Sequence, residues 1–446
     1  GGGWRNERLA EELTDAIVAQ DFKDVLDTAP PSSAATARVA AVKEKGYEQT
    51  PGESAKLFTA AAAAAPIHQT PNLDATVFEL GTQGSVVAAA NVLLSPQYPD
   101  GKVVPLDSNL ATDQVRWRRW SDSGWDADNG RGSIDAVPGR ENAPIDFMSP
   151  YPASVLKLMV GFGVLQLVDR HDVALDDVYA YDPTGAPNTA CGGKTNKTIR
   201  RLFDEMITVS SNESTCSLIK VLHDHSAVEP LNQQFQDLGL PMLQLVGTRT
   251  VDGGHWADTQ MNALDTAKLL LVVNGGPGTL WTTPNGTPVT KDLLSDDSRQ
   301  FFLSKLGDNG LNQVLSTPNW CDRGYPVPGI PQLISSRWVN PTTGKLNVAG
   351  RNYNQDVRPC QETAEVTFAH KTGLGTNSGN DAGIVHSLPG KLSRHYIVVV
   401  HSNLGSRYID VNRPATPAGT YAVQYTEKYA KLGAALDDAI TWHRNR

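Results

Sequence analysis

The sequence predicts an α+β fold, with helices and an antiparallel sheet drawn from separate stretches of the chain. Three observations predict it. Apolar residues recur at helical spacing in the opening segment and through most of residues 154–275. Runs that read as strands gather at 75–94 and again between 366 and 401. The early runs are joined by Gly81-Thr82-Gln83-Gly84, a short turn-forming link that suits antiparallel pairing.

Taken in order, residues 5–22 carry Leu9, Leu13, Ile17 and Phe22 at helical spacing. Pro30-Pro31-Ser32-Ser33 breaks that pattern. Further helical stretches are expected over 34–45 and 52–65, the latter an alanine run ending at Pro66. Strands are expected over 75–80 and 85–94, then a turn at Asp100-Gly101 and a strand over 102–106. This helix-then-sheet order suggests a small α+β accessory domain over 1–105, ahead of a larger domain over 106–446. The competing assignment gives these strands to the larger domain. Arg116-Trp117-Arg118-Arg119-Trp120 alternates like an edge strand. Residues 121–145, rich in Asp, Gly, Asn and Pro, read as a loop. A helix is expected over 263–273, and another after Ser295, a plausible N-cap. Residues 317–362 hold Trp320, Tyr325, Trp338 and Tyr353, so that long segment is expected to pack. A strand over 396–401 and a helix striped by Tyr425, Leu432, Leu436 and Ile440 complete the chain.

Composition narrows the function. The chain has 446 residues, 40% hydrophobic and 20% charged, with a net charge of −9. An acidic chain without a basic block argues against nucleic acid and against anionic membrane surfaces as partners. No stretch approaches the apolar length of a membrane span. No secretory leader is read at Gly1-Gly2-Gly3-Trp4. His223-Asp224-His225 reads as a solvated helix end, and no spacing suggests a metal site or a cofactor. Of the four cysteines, Cys321 and Cys360 bracket a loop-rich segment where a disulfide would be useful. Cys191 and Cys216 flank a helical segment. Paired cysteines favour an extracytoplasmic or secreted location; four free thiols would mean a cytoplasmic one.

The chemistry gathers at Tyr151-Pro152-Ala153-Ser154-Val155-Leu156-Lys157, the head of an apolar run reaching Val168. Serine and lysine three apart share one helix face. A buried lysine loses solvation, its pKa falls, and the neutral amine can take a proton from the serine hydroxyl. S-x-x-K is common by chance, so it matters that two more motifs follow. They are Ser210-Ser211-Asn212 after a helical segment, and Lys371-Thr372-Gly373 closing a strand-like run.

In this order the three motifs resemble the penicillin-recognising serine enzymes, meaning serine β-lactamases and penicillin-binding proteins. Met206 to Asn212 is similar to that family's "MITVSDN" segment, with Ser211 where Asp is usual. Asn380 to Val385 looks like the hairpin partner of the K-T-G strand. The resemblance covers roughly 140–446 and implies an antiparallel sheet flanked by helices, with a helical subdomain inserted. For the first hundred residues there is only a pattern-level similarity to the steroid-isomerase-like domain of a two-domain relative in the clavulanic acid pathway.

The resemblance implies roles. Ser154 is the nucleophile and Lys157 its base. Ser210 relays a proton, and Asn212 holds Lys157 and the substrate amide. Lys371 and Thr372 bind a substrate carboxylate, Gly373 leaves room for substrate, and the backbone N–H groups of Ser154 and Leu374 form an oxyanion hole. One departure stands out. Class A β-lactamases carry a deacylating glutamate roughly thirty residues after the S-x-N asparagine. Here that region reads Leu245-Val246-Gly247-Thr248-Arg249, with Asp252 and Asp258 the nearest acids. Glu229-Pro230-Leu231-Asn232 mimics the glutamate's signature but arrives too early, and reads as a helix start. The expectation is a serine acyl hydrolase acting on a small-molecule β-lactam, ester or peptide carbonyl, of esterase or amidase type with weak β-lactam turnover. The alternatives are a D-alanyl-D-alanine carboxypeptidase, a true β-lactamase, or a non-catalytic accessory protein that keeps the pocket.

Overall fold

The structure is a computed structural model describing residues 3–29, 64–121, 127–187, 190–321, 328–410 and 425–446. The helical stretches expected over 34–45 and 52–65 lie outside the described residues, apart from the final residues of the second.

A six-stranded antiparallel sheet organises the molecule. Its strands are β1 (Leu73–Leu80), β2 (Val86–Ser95), β3 (Tyr98–Val103), β4 (Val366–Gly375), β5 (Ser378–Ser387) and β6 (His395–Ser402), in the spatial order β4-β5-β6-β1-β2-β3. The pairing of β6 with β1, from Tyr396 opposite Glu79 to Ser402 opposite Leu73, welds the two ends of the sequence into one sheet. This corrects the expected accessory domain over 1–105. Its strands belong to the main sheet, β1 and β2 inside it and β3 at its edge, as the competing assignment held. Residue alternation requires this, because β1 is buried along its whole length and needs cover on both faces. The turn expected at Asp100-Gly101 is also corrected. The chain reverses at Pro96-Gln97, between Ser95 and its partner Tyr98, and Gly101 sits within β3.

Each face has its own core. On one side, Phe78, Leu80, Ile397 and Val399 pack against α2 (Lys157–Asp169) and α6 (Ala263–Asn274). On the other, Ala75, Val77, Val398 and Val400 pack against α1 (Gly3–Val18) and α8 (Lys428–Arg444). The stripe of Leu9, Leu13 and Ile17 on α1 is buried as its spacing predicts. Strand period two therefore decides which side chain meets which helix layer.

The helical subdomain lies between β3 and β4 in sequence. It comprises α2, α3 (Ile199–Thr208), α4 (Asn212–Asp224), α5 (Val228–Asp237), α6 and α7 (Asp296–Gly307). Ser295 caps α7 through Ser298 N, as expected. Glu229 lies exposed in the first turn of α5, which fits its reading as a helix start. The strand Val115–Arg118 pairs in parallel with Ile145–Met148 and leads the chain to Ser154. In the long segment after Thr317, Trp320 and Tyr353 are buried edge-to-face at 5.8 Å. Tyr325 lies outside the described residues. Disulfides join Cys321 to Cys360 and Cys191 to Cys216. Among the described residues no helix is long and apolar enough to cross a membrane.

Candidate active site

Ser154 sits in a short 3-10 turn, Ala153–Leu156, that runs directly into α2. Ala153 before it takes the left-handed conformation, φ 47°, which a non-glycine residue adopts only when its surroundings enforce it. The turn presents Ser154 at the helix head, 8% exposed, while the rest of the run is core.

Lys157, the first residue of α2, is fully buried. Its Nζ lies 2.8 Å from the Ser210 carbonyl, 2.8 Å from Ser210 Oγ and 2.8 Å from Asn212 Oδ1. Ser210 joins α3 to α4 and is itself left-handed, φ 56°, a bend that turns both its carbonyl and its hydroxyl toward the lysine. Ser211, where aspartate was the usual residue, caps α4 by accepting from Ser214 N. Glu205 of α3 holds the same junction, accepting from Ser214 Oγ at 2.7 Å and from Lys197 Nζ at 2.9 Å.

Lys371 reaches in from β4. Alternation puts it on the same sheet face as Ala369, toward α2, and its Nζ lies 3.0 Å from Ser210 Oγ. One serine hydroxyl is thus shared by two buried lysines. Burial drives the Lys157 pKa well below the ordinary value, and the charge of Lys371 lowers it further. Burial also lowers Lys371, to about 7, with Asp381 opposing part of that shift. Both shifts run toward the neutral amine, with the Ser210 hydroxyl between the two lysines.

Gly373 brings the strand against the nucleophile turn. A Cβ there would stand 2.5 Å from the Pro152 carbonyl oxygen and 2.9 Å from Ser154 N, so only glycine allows this approach. The contact sets the backbone N–H of Ser154 beside β4. Leu374 follows on the same strand, half-buried. Thr372 faces the other way: it is almost fully buried, with its hydroxyl 3.5 Å from the Leu311 carbonyl. Ser154, Lys157, Ser210, Asn212, Lys371 and Gly373 therefore come together, while the Thr372 hydroxyl packs toward Leu311.

Two features were missed from the sequence. Asn380 of β5 donates from Nδ2 to the Tyr151 carbonyl and the Gly373 carbonyl, each at 3.2 Å, and its Oδ1 lies 2.9 Å from His401 Nδ1. It ties the segment before Ser154 to the K-T-G strand. Its place in the hairpin partner of that strand was the available signal. The second is Trp256. The loop after Leu245 folds back so that the Trp256 ring stands 5.8 Å from Lys157 Nζ, with its indole N–H donating to the Gly253 carbonyl at 2.8 Å. The acids of that loop are already engaged. Asp252 is fully buried, accepts from Arg249 through both oxygens and takes Gly254 N, while Asp258 pairs with Arg119 at 2.9 Å. Among the described residues no group of three or more metal-ligating side chains gathers.

Residues 148–315 match the model of the beta-lactamase enzyme family. No curated protein matches the chain in sequence. Among solved structures, PBP-A is similar at 16% identity, covering 88% of this chain and 97% of that one, with a TM-score of 0.44. A β-lactamase from Chitinophaga pinensis is similar at 17% identity, covering 66% and 86%, with a TM-score of 0.40. One from Sphaerobacter thermophilus stands at 17% identity, 65% and 82% coverage, and 0.38.

Proposed function

We propose, with the match of residues 148–315 to the beta-lactamase enzyme family in support, that the chain is a serine acyl hydrolase of the serine β-lactamase and penicillin-binding protein superfamily that forms an acyl-enzyme on Ser154. The single observation behind this reading is Lys157, a buried amine with a depressed pKa, one helical turn from Ser154 and bonded to Ser210 and Asn212. A neutral Lys157 takes the proton of Ser154 Oγ as that oxygen attacks a substrate carbonyl. The backbone N–H groups of Ser154 and Leu374 receive the developing oxyanion. The proton then returns through Ser210 to the leaving group, while Lys371 supplies the charge that attracts a substrate carboxylate.

The second half-reaction is slower for β-lactams. The loop facing Lys157 contributes Trp256, and its Asp252 and Asp258 are bound to arginines. General base catalysis is worth roughly 10²–10⁴-fold, so a penicillin ester on Ser154 persists. A simple ester has a leaving alcohol that departs freely, and Lys157 with Ser210 suffices for its hydrolysis. We therefore assign esterase or amidase activity with weak β-lactam turnover. Two disulfides accord with an extracytoplasmic location.

The test uses nitrocefin, a fluorescent penicillin and para-nitrophenyl acetate on wild type, Ser154→Ala and Asp252→Asn. The expected result is stable fluorescent labelling, slow nitrocefin hydrolysis, measurable acetate hydrolysis, and loss of all three in Ser154→Ala. A covalent adduct retained in Ser154→Ala overturns the assignment. Rapid nitrocefin turnover that vanishes in Asp252→Asn would instead make the protein a β-lactamase with a displaced base.

A further inference from the structure

A polar cavity of about 420 Å³ lies at the amino end of α6, and none of its lining residues belongs to the Ser154 site. Its walls include Asp265 and Lys268 of α6, Arg140, Trp281, Leu238 and Pro241. Two of these groups are unusual for their burial. Lys268 is 1% exposed, yet its ammonium makes one hydrogen bond, to the Asn109 carbonyl at 3.2 Å, and otherwise rests 4.7 Å from the Trp281 ring centroid. Asp265 is 4% exposed and uses only Oδ2, accepting from Met242 N at 2.9 Å. Among the described residues no ion pair within 4 Å joins them, but each charge offsets part of the burial shift of the other. Burial lowers Lys268 against the opposing charges of Asp265 and Asp107, to about 8, and raises Asp265 against Lys268, Met242 N and Arg140, to about 6, so both are mainly charged at neutral pH.

Buried charges with spare hydrogen-bonding capacity are costly unless something complements them. The two stand three residues apart on one helix, so their Cβ atoms are about 5–6 Å apart. Arg140 adds a second cation, half-buried, which donates to the Thr112 carbonyl at 2.8 Å and, among the described residues, lies in no ion pair. An anion alone would meet Asp265, with Asp107 at the exposed rim of the cavity, and a cation alone would meet Lys268 and Arg140. A ligand with both charges on neighbouring atoms satisfies all three, and an apolar tail can lie along Trp281, Leu238 and Pro241. We propose that this cavity is a binding site for a free amino acid with an apolar side chain, its carboxylate on Lys268 and Arg140 and its ammonium on Asp265.

The test is isothermal titration of the full chain with L-leucine and D-leucine, beside 4-methylpentanoate and isopentylamine, which are leucine without its ammonium and without its carboxylate. Saturable binding of a leucine enantiomer is expected, with either single-charge compound at least tenfold weaker. Lys268→Met, which keeps the stem and removes the charge, should weaken leucine at least tenfold and leave Ser154 labelling intact. No saturable heat with either enantiomer in the wild type overturns the proposal, and this arm requires no variant to fold. Equal binding of 4-methylpentanoate, or leucine binding unchanged in a folded Lys268→Met, overturns it as well.

Discussion

Lys157 and Lys371 make the pH dependence of acylation predictable from their positions. Lys157 acts when neutral, so the rate rises with pH as it loses its proton. Lys371 attracts a carboxylate when charged, so that attraction declines as pH passes about 7. We expect a bell-shaped kcat/KM profile for labelling by a penicillin, which carries a carboxylate. For para-nitrophenyl acetate, which carries none, the descending limb should be missing after subtraction of the uncatalysed rate. Descending limbs of equal depth for both would remove Lys371 from substrate binding. Gly373 permits a second test. The methyl of Gly373→Ala would collide with the Pro152 carbonyl and push β4 away from Ser154. Labelling should slow by about 10²-fold, in line with loss of an oxyanion donor, and the melting temperature should fall as well, since overpacking of this kind costs about 1–3 kcal/mol. At this scale the motif residues were legible because chemistry restricts their types. Asn380 was legible only as part of the hairpin partner of the K-T-G strand; its tie to the nucleophile turn shows only once its partners Tyr151 and Gly373 are known.

At the scale of elements, His443 fastens α8 to both α1 and β1. Its ring nitrogens meet Glu12 at 2.7 Å and Glu79 at 2.8 Å. Burial alone would lower its pKa, but the two carboxylates outweigh burial and raise it to about 9. A raised folded-state pKa means that the stabilisation is fully present below the ordinary histidine value, near 6.5, and is lost as pH rises through about 9. Thermal unfolding monitored from pH 6 to 10 should show a declining melting temperature, with about 1–2 kcal/mol assignable to this residue after solvent screening. In His443→Gln that part of the decline should disappear; an identical slope would mean the pair contributes nothing. The elements themselves were largely readable. The hairpin follows from its two strand-like runs and their glycine-bounded turn, and α2 from its unbroken apolar run. Which sheet the hairpin joins could not be read locally, because β6 lies more than 300 residues away and strand pairing leaves no mark on neighbouring residues.

For the molecule as a whole, the two disulfides should separate stability from activity. Cys321 and Cys360 are 39 residues apart and hold a segment outside the motif cluster. Breaking that bridge with Cys321→Ser and Cys360→Ser should cost a few kcal/mol on the chain-entropy relation and lower the melting temperature by several degrees. Labelling of Ser154 should continue at its former rate. Cys216 lies on α4, whose first residue is Asn212, and its carbonyl packs against Gly253 in the loop that carries Trp256. Breaking Cys191–Cys216 should loosen that loop and speed release of the penicilloyl group, read as a shorter lifetime of the fluorescent adduct. An unchanged lifetime would dissociate the loop from deacylation.

The pairing of β6 with β1 also has a consequence in time. A ribosome that has made residues 73–212 has produced the nucleophile, its lysine and the relay serine, all on local helices and turns. β1 cannot gain its β6 neighbour, nor Ser154 its glycine strand, until residues 366–402 have emerged. Until then a buried-to-be strand stands with one edge open, the condition under which nascent chains pair wrongly with one another. Competence at Ser154 is therefore one of the last properties this polypeptide acquires. Chains stopped before residue 366 should keep helical content yet fail to react with a penicillin.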